Sequence, residues 1–171
     1  MAHPLVEQLR FTRGEWLRAL EGVSEEDAVR RLAPMNSISW MVGHLAWQEQ
    51  AYWVRRAQGI TLVPELDEIA GYGKPPTTPP LGDMWAAWRT VTAAADKYLD
   101  SVTVETLQSH LVIDGRTIAS SVGSMLQRMI YHYWYHIGES QAVRQMLGHT
   151  GLPEFVGNIQ DIAPYTPEAA E

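Results

Sequence analysis

Arg128-Met129-Ile130-Tyr131-His132-Tyr133-Trp134-Tyr135-His136-Ile137-Gly138-Glu139 sets two imidazoles four residues apart inside an apolar run with helical spacing. Positions i and i+4 share a helix face, so both rings point the same way. Two such rings can reach one metal ion, but a usable centre needs at least a third ligand from elsewhere in the chain. The source of that ligand decides which helices must lie side by side.

Around this stretch the spacing predicts a long helix from about Thr117 or Ile118 to Leu147, closed by Gly148, with Val122, Met125, Met129, His132 and His136 on one stripe. Three further long helices precede it. The first runs from Pro4 to about Glu21, with Leu5, Leu9, Trp16, Leu17 and Leu20 in helical steps. The second, Ile38 to Gln58, follows caps at Asn36 and Ser37 and ends at Gly59. The third, Leu81 to Asp100, carries Trp85, Trp88, Val91, Ala95 and Leu99. A short connector, Glu25 to Leu32, starts at the Ser24 cap and stops at Ala33-Pro34.

Between the second and third helices, Gly59 to Pro80 is rich in Gly, Pro and Thr and is not expected to sustain a helix. So long a connection suggests a crossover that lets the second and third helices of a four-helix bundle run in the same direction. Thr103 to His110 reads as a short helical turn. His110 to Ile113, ahead of Asp114-Gly115, reads as a strand or an extended segment and is treated as irregular. After Gly151, the prolines at 153, 164 and 167 predict an irregular strap that frays at Glu168-Ala169-Ala170-Glu171. The expectation is one all-α domain over residues 1–171, a four-helix bundle with a long crossover loop.

At 171 residues and 46% hydrophobic, the chain can build one sizeable core. Its net charge of -7 and its scattered basic residues argue against a nucleic-acid partner. With no cysteine, thiolate metal sites, disulfides and a cysteine nucleophile are excluded, so any metal must sit on His, Asp or Glu. No stretch reads as a membrane span or a secretory leader, so the expected compartment is the cytoplasm.

The third ligand is sought among the other histidines. His44 lies between Trp40 and Trp47, one turn away on either side, and this apolar setting favours the neutral form that a metal needs. A single buried histidine is more often satisfied by backbone or water. Three on inward faces are more economically satisfied by one shared ion, which makes His44, His132 and His136 the candidate ligands. His3, His110 and His149 read as terminal or exposed. Glu49 and Glu139 could each orient an imidazole or form an exposed salt bridge; Arg128, one turn before His132, could meet an anionic substrate or form an ordinary ion pair. Tyr131, Tyr133, Trp134 and Tyr135 read as core packing plus a bundle or dimer surface. The Glu-x-x-His of di-iron bundles and the His-Glu-x-x-His of metalloproteases are both absent, leaving a mononuclear three-histidine site.

Gly43-His44-Leu45-Ala46-Trp47-Gln48-Glu49, followed late in the chain by His132-Tyr133-Trp134-Tyr135-His136-Ile137-Gly138-Glu139, resembles the DinB-like (DinB/YfiT-like) superfamily of metalloenzymes. That group includes thiol-dependent transferases and mycothiol-dependent maleylpyruvate isomerases. The resemblance, which runs from the first helix through Leu147, implies an up-down-down-up bundle holding a divalent metal, with the family's triad falling on His44, His132 and His136. It also implies a thiol-dependent S-transferase or isomerase acting on a small molecule, with zinc or nickel as the expected metal and a low-molecular-weight thiol as cofactor. A metal-dependent hydrolase, and a non-catalytic, stress-related metal or small-molecule binding protein, are the competing readings. A homodimer is the expected assembly.

Overall fold

Each long helix begins where the sequence supplies a cap or a proline. The computed structural model describes residues 2–154 and 156–166. Helix α1 (Pro4–Ala19) opens on a proline in its first turn, with His3 Nδ1 accepting from the Leu5 N–H. The short α2 (Glu25–Val29) is capped by Ser24, and α3 (Ile38–Glu49) by the buried Ser37. Helix α3 continues without a break into a π-helical segment, Gln50–Arg56. Beyond it come α4 (Leu66–Ile69), α5 (Leu81–Leu99), α6 (Val104–Gln108), strands β1 (His110–Ile113) and β2 (Arg116–Ser121), α7 (Val122–Met146) and the one-turn α8 (Ile159–Ile162).

The chain is mostly helical, and its departures from expectation have local causes. Gly59 to Pro80 does contain a helical turn, α4, because the Gln50 side chain accepts from the N–H groups of Leu62 and Val63 and donates to the Val63 carbonyl. These bonds pin the start of the loop against the π-helical segment. The stretch treated as irregular is an antiparallel hairpin, with Val112 opposite Thr117 and Ile113 opposite Arg116. Asp114 and Gly115 both take positive φ at its turn, a conformation a glycine adopts without strain. Pairing with β1 holds residues 116–121 extended, so the last long helix starts at Val122, where Ser121 caps the Ser124 N–H. The tail carries α8 where an irregular strap was expected. The fraying expected at 168–171 lies outside the described residues.

Helix α3 packs against α5 and α7, and α7 packs against α1. Their inward stripes form one core in which Trp16, Met41, Leu45, Trp53, Met129 and Tyr133 are fully buried. Inside it, one polar network joins all four long helices. Arg13 of α1 grips both carboxylate oxygens of Glu49 on α3 at 2.7 Å and reaches Asp96 of α5 at 2.8 Å. Tyr133 of α7 donates to Glu49 at 2.9 Å and accepts from the indole N–H of Trp88 on α5 at 2.8 Å. Burial alone would lower the Arg13 pKa, but the charge and hydrogen bonds of Glu49 outweigh it and raise it. No helix among the described residues is long and apolar enough to cross a membrane.

Candidate metal centre

Helix α3 presents His44, and helix α7 presents His132 and His136, to the seam between them. At Gly43, α3 lies close against α5 and the loop that follows α4: a Cβ there would sit 2.5 Å from Met84 Sδ and 3.1 Å from the Ala70 Cβ. The next residue, His44, is 6% exposed and lies between two indoles. Trp40 stacks on it with ring centres 4.5 Å apart, and Trp47 covers the other face at 5.4 Å. Its Nδ1–H donates to the Ala70 carbonyl at 2.7 Å, which leaves the Nε2 lone pair for the cluster.

The α7 pair is arranged in the same sense. His136, 4% exposed, donates through Nδ1–H to Glu139 at 2.8 Å, and its Nε2 faces that of His132 at 3.0 Å. His132 is half-buried, and its ring centre lies 5.0 Å from that of His44. The candidate ligand nitrogens of all three residues lie within 4.8 Å of one another. With metal–nitrogen bonds of about 2.0–2.1 Å, tetrahedral ligands stand about 3.3 Å apart, a spacing the His132–His136 pair already approaches.

Protonation favours a cation as well. Burial lowers the His44 pKa to about 4, with the Ala70 carbonyl pulling the other way. Burial also takes His132 down to about 3, helped by the neighbouring imidazoles and by Arg128. Both rings are therefore neutral near pH 7, with lone pairs available. Three imidazole nitrogens, with His44 and His136 oriented by outward hydrogen bonds, form a donor set suited to a borderline divalent ion.

The cluster opens onto a cavity of about 320 Å³ lined by His44, His132, Gln48, Tyr52, Arg128 and Met129, with Tyr72 and Tyr131. Gln48 and Tyr52 follow His44 in four-residue steps. The wider turn of the π-helical segment needs more residues per revolution, so Tyr52 drifts less from that face than it would on an α-helix. A larger cavity of about 880 Å³ lies between the N-terminal segment and the tail, but among the described residues no charged side chain lines it. Its one histidine, His3, is engaged in capping α1.

The structure brings together His44, His132 and His136, sets Glu139 behind His136, and places Arg128 on the cavity wall. Glu49 does neither of the things expected of it: it is fully buried and bound to Arg13 and Tyr133, so it is neither an exposed salt bridge nor an imidazole partner. His110 is exposed and bonds the Ile118 carbonyl across the hairpin. His149 is not free on the surface either; it accepts from Arg144 and donates to Asp27. Tyr133 is core, whereas Tyr131 and Tyr135 are 67% and 68% exposed.

Sequence reasoning missed the Ala70 carbonyl, since no residue type marks a backbone acceptor. It also missed the roles of Gln48 and Tyr52, although both sit at helical steps from His44. The loop supports the site a second time through Asp67, which accepts from the Trp47 indole at 2.8 Å and from Arg55 at 2.7 Å. No curated protein matches the chain. The family model of the DinB superfamily matches residues 8–140, which span α1 through the histidine pair of α7. The chain therefore belongs to the DinB superfamily, and the matched residues include its three converging histidines.

Proposed function

We propose that this chain is a metal-dependent enzyme built as an up-down-down-up four-helix bundle, with a divalent ion, zinc or nickel, on His44, His132 and His136. It would use the ion to bring a low-molecular-weight thiol to bear on a small electrophile. The packing of α3 against both α5 and α7, and the long α3–α5 connection, support that topology. The observation that carries the functional reading is the coincidence of three converging imidazoles with an open cavity of about 320 Å³, within the size range of small-molecule sites. A closed structural site would have no such opening.

When bound, the ion supplies Lewis acidity to a thiol, water or substrate oxygen at the position the three nitrogens leave free. The protein's own part is positional. Ala70 and Glu139 hold His44 and His136 with their Nε2 atoms inward, the indoles of Trp40 and Trp47 shield His44 from water, and the cavity wall aligns the second reactant.

Metal-assisted hydrolysis is the second reading. Among the described residues no carboxylate lines the cavity to take a proton from water, whereas a thiol ionises far more readily. That difference favours the thiol. The test is elemental analysis of untagged protein, followed by a thiol-transfer screen with several thiol cofactors. One ion per chain, lost in His132→Ala and His136→Ala, is expected; a wild-type protein that takes up no divalent ion overturns the reading.

A further inference from the structure

The cavity beside the imidazoles is rich in hydrogen-bond donors, and among the described residues no acid lines it. Arg128 stands on its wall one turn before His132, and its guanidinium makes no hydrogen bond or ion pair with any described residue. Arg10, Arg13, Arg18, Arg30 and Arg55 grip carboxylates, whereas Arg128, like Arg31, Arg89 and Arg116, has no carboxylate partner among the described residues; of these four, Arg128 alone lines the cavity beside the imidazoles. Arg128 is exposed, so its guanidinium is open to an incoming anion, and in a chain of 20 acidic to 13 basic residues this wall carries a cation and, among the described residues, no acid. The Gln48 amide and the Tyr52 hydroxyl face the same space and have no protein partner among the described residues. The Arg56 guanidinium lies over the Tyr52 ring, 5.0 Å from its centre, adding positive charge behind that wall.

Planar guanidinium recognition suits a carboxylate, which can accept two parallel N–H bonds, and the flanking amide and phenol can complete its hydrogen bonding. We propose that this cavity takes a reactant bearing a carboxylate, held by Arg128 with Gln48 and Tyr52 beside it, while its reactive end points toward the three imidazoles. The second half of this statement rests on the metal-centre reading; the carboxylate subsite does not. Arg128 is then a specificity-determining residue, which selects among small molecules by charge.

The experiment pairs two thiols of similar size, 3-mercaptopropionate and 2-mercaptoethanol, titrated into cobalt-loaded protein and followed by the thiolate-to-cobalt absorption. The carboxylate thiol should bind about ten-fold tighter, the gain expected of one charge-assisted pair. Arg128→Gln should bring the ratio of the two affinities toward unity, and Arg128→Lys should restore part of it. Equal affinities in the wild type, or a preference that survives Arg128→Gln, would overturn the proposal. A second arm uses metal-free protein and propionate, with the Arg128 Nε–H resonance as the readout. A saturable shift supports the subsite even where cobalt fails to bind, and no shift counts against it even where cobalt binds well.

Discussion

Glu139 holds the side of His136 turned away from the cluster, its carboxylate 2.8 Å from Nδ1 and only three residues further along the same helix. A carboxylate in this position fixes both the tautomer and the direction of the ring. Replacing it by alanine should weaken divalent-metal affinity by about 10- to 100-fold. Competition with a chromogenic chelator measures the change, and helical content by circular dichroism should stay as in the wild type.

The two depressed imidazoles make metal-free stability pH-dependent. His44 titrates at about 4 and His132 at about 3 in the folded chain, against 6.5 for an unperturbed histidine. Below 6.5 the unfolded chain takes up protons that the folded chain refuses, so stability present above that value is lost as the pH falls toward about 4 for His44 and about 3 for His132. The urea midpoint of chelator-treated protein should be lower at about pH 5 than at about pH 7.5, with a shallower dependence in His44→Gln. Metal affinity should fall over the same range as protons compete for the nitrogens.

The stacked indoles offer an optical report on His44. Copper or nickel bound to that ring would sit close to Trp40 and Trp47, two of seven tryptophans, and should quench part of the emission in a saturable way. Trp40→Phe should remove a substantial share of the quenching without changing the stoichiometry. A titration of emission against metal concentration, run on both proteins, checks this.

The buried network should dominate the polar contribution to stability. Glu49→Ala leaves the Arg13 guanidinium without its two-pronged partner at a site 5% exposed, and should cost about 3–5 kcal/mol. Tyr133→Phe removes one bond to Glu49 and the acceptor for Trp88, and should cost about 1–3 kcal/mol. Urea unfolding with intact metal-free protein provides both values.

The four long helices were readable because their apolar residues recur at helical spacing and because Pro4, Ser37 and Gly59 mark ends. The histidine cluster was readable from its neighbours: Trp40 and Trp47 at one turn from His44 foretold the stacking that desolvates it. Glu49 was misjudged because a lone acid on a helix usually faces water, and its counter-charge, Arg13, lies on another helix where no spacing rule connects them. The hairpin escaped because its strands are short and largely exposed, so alternation of polar and apolar residues barely marks them. The Ala70 carbonyl depends on how the crossover loop settles against α3, which is a tertiary matter.

Because the Arg13 guanidinium that neutralises Glu49 comes from the first helix, the three imidazoles cannot be excised as a minimal two-helix peptide. A synthetic hairpin copying only α3 and α7 would contain every nitrogen of the cluster, yet it would also bring a stranded anion into its own interior. Miniaturised versions of this centre would need either the first helix retained or the acid replaced by a well-packed neutral residue.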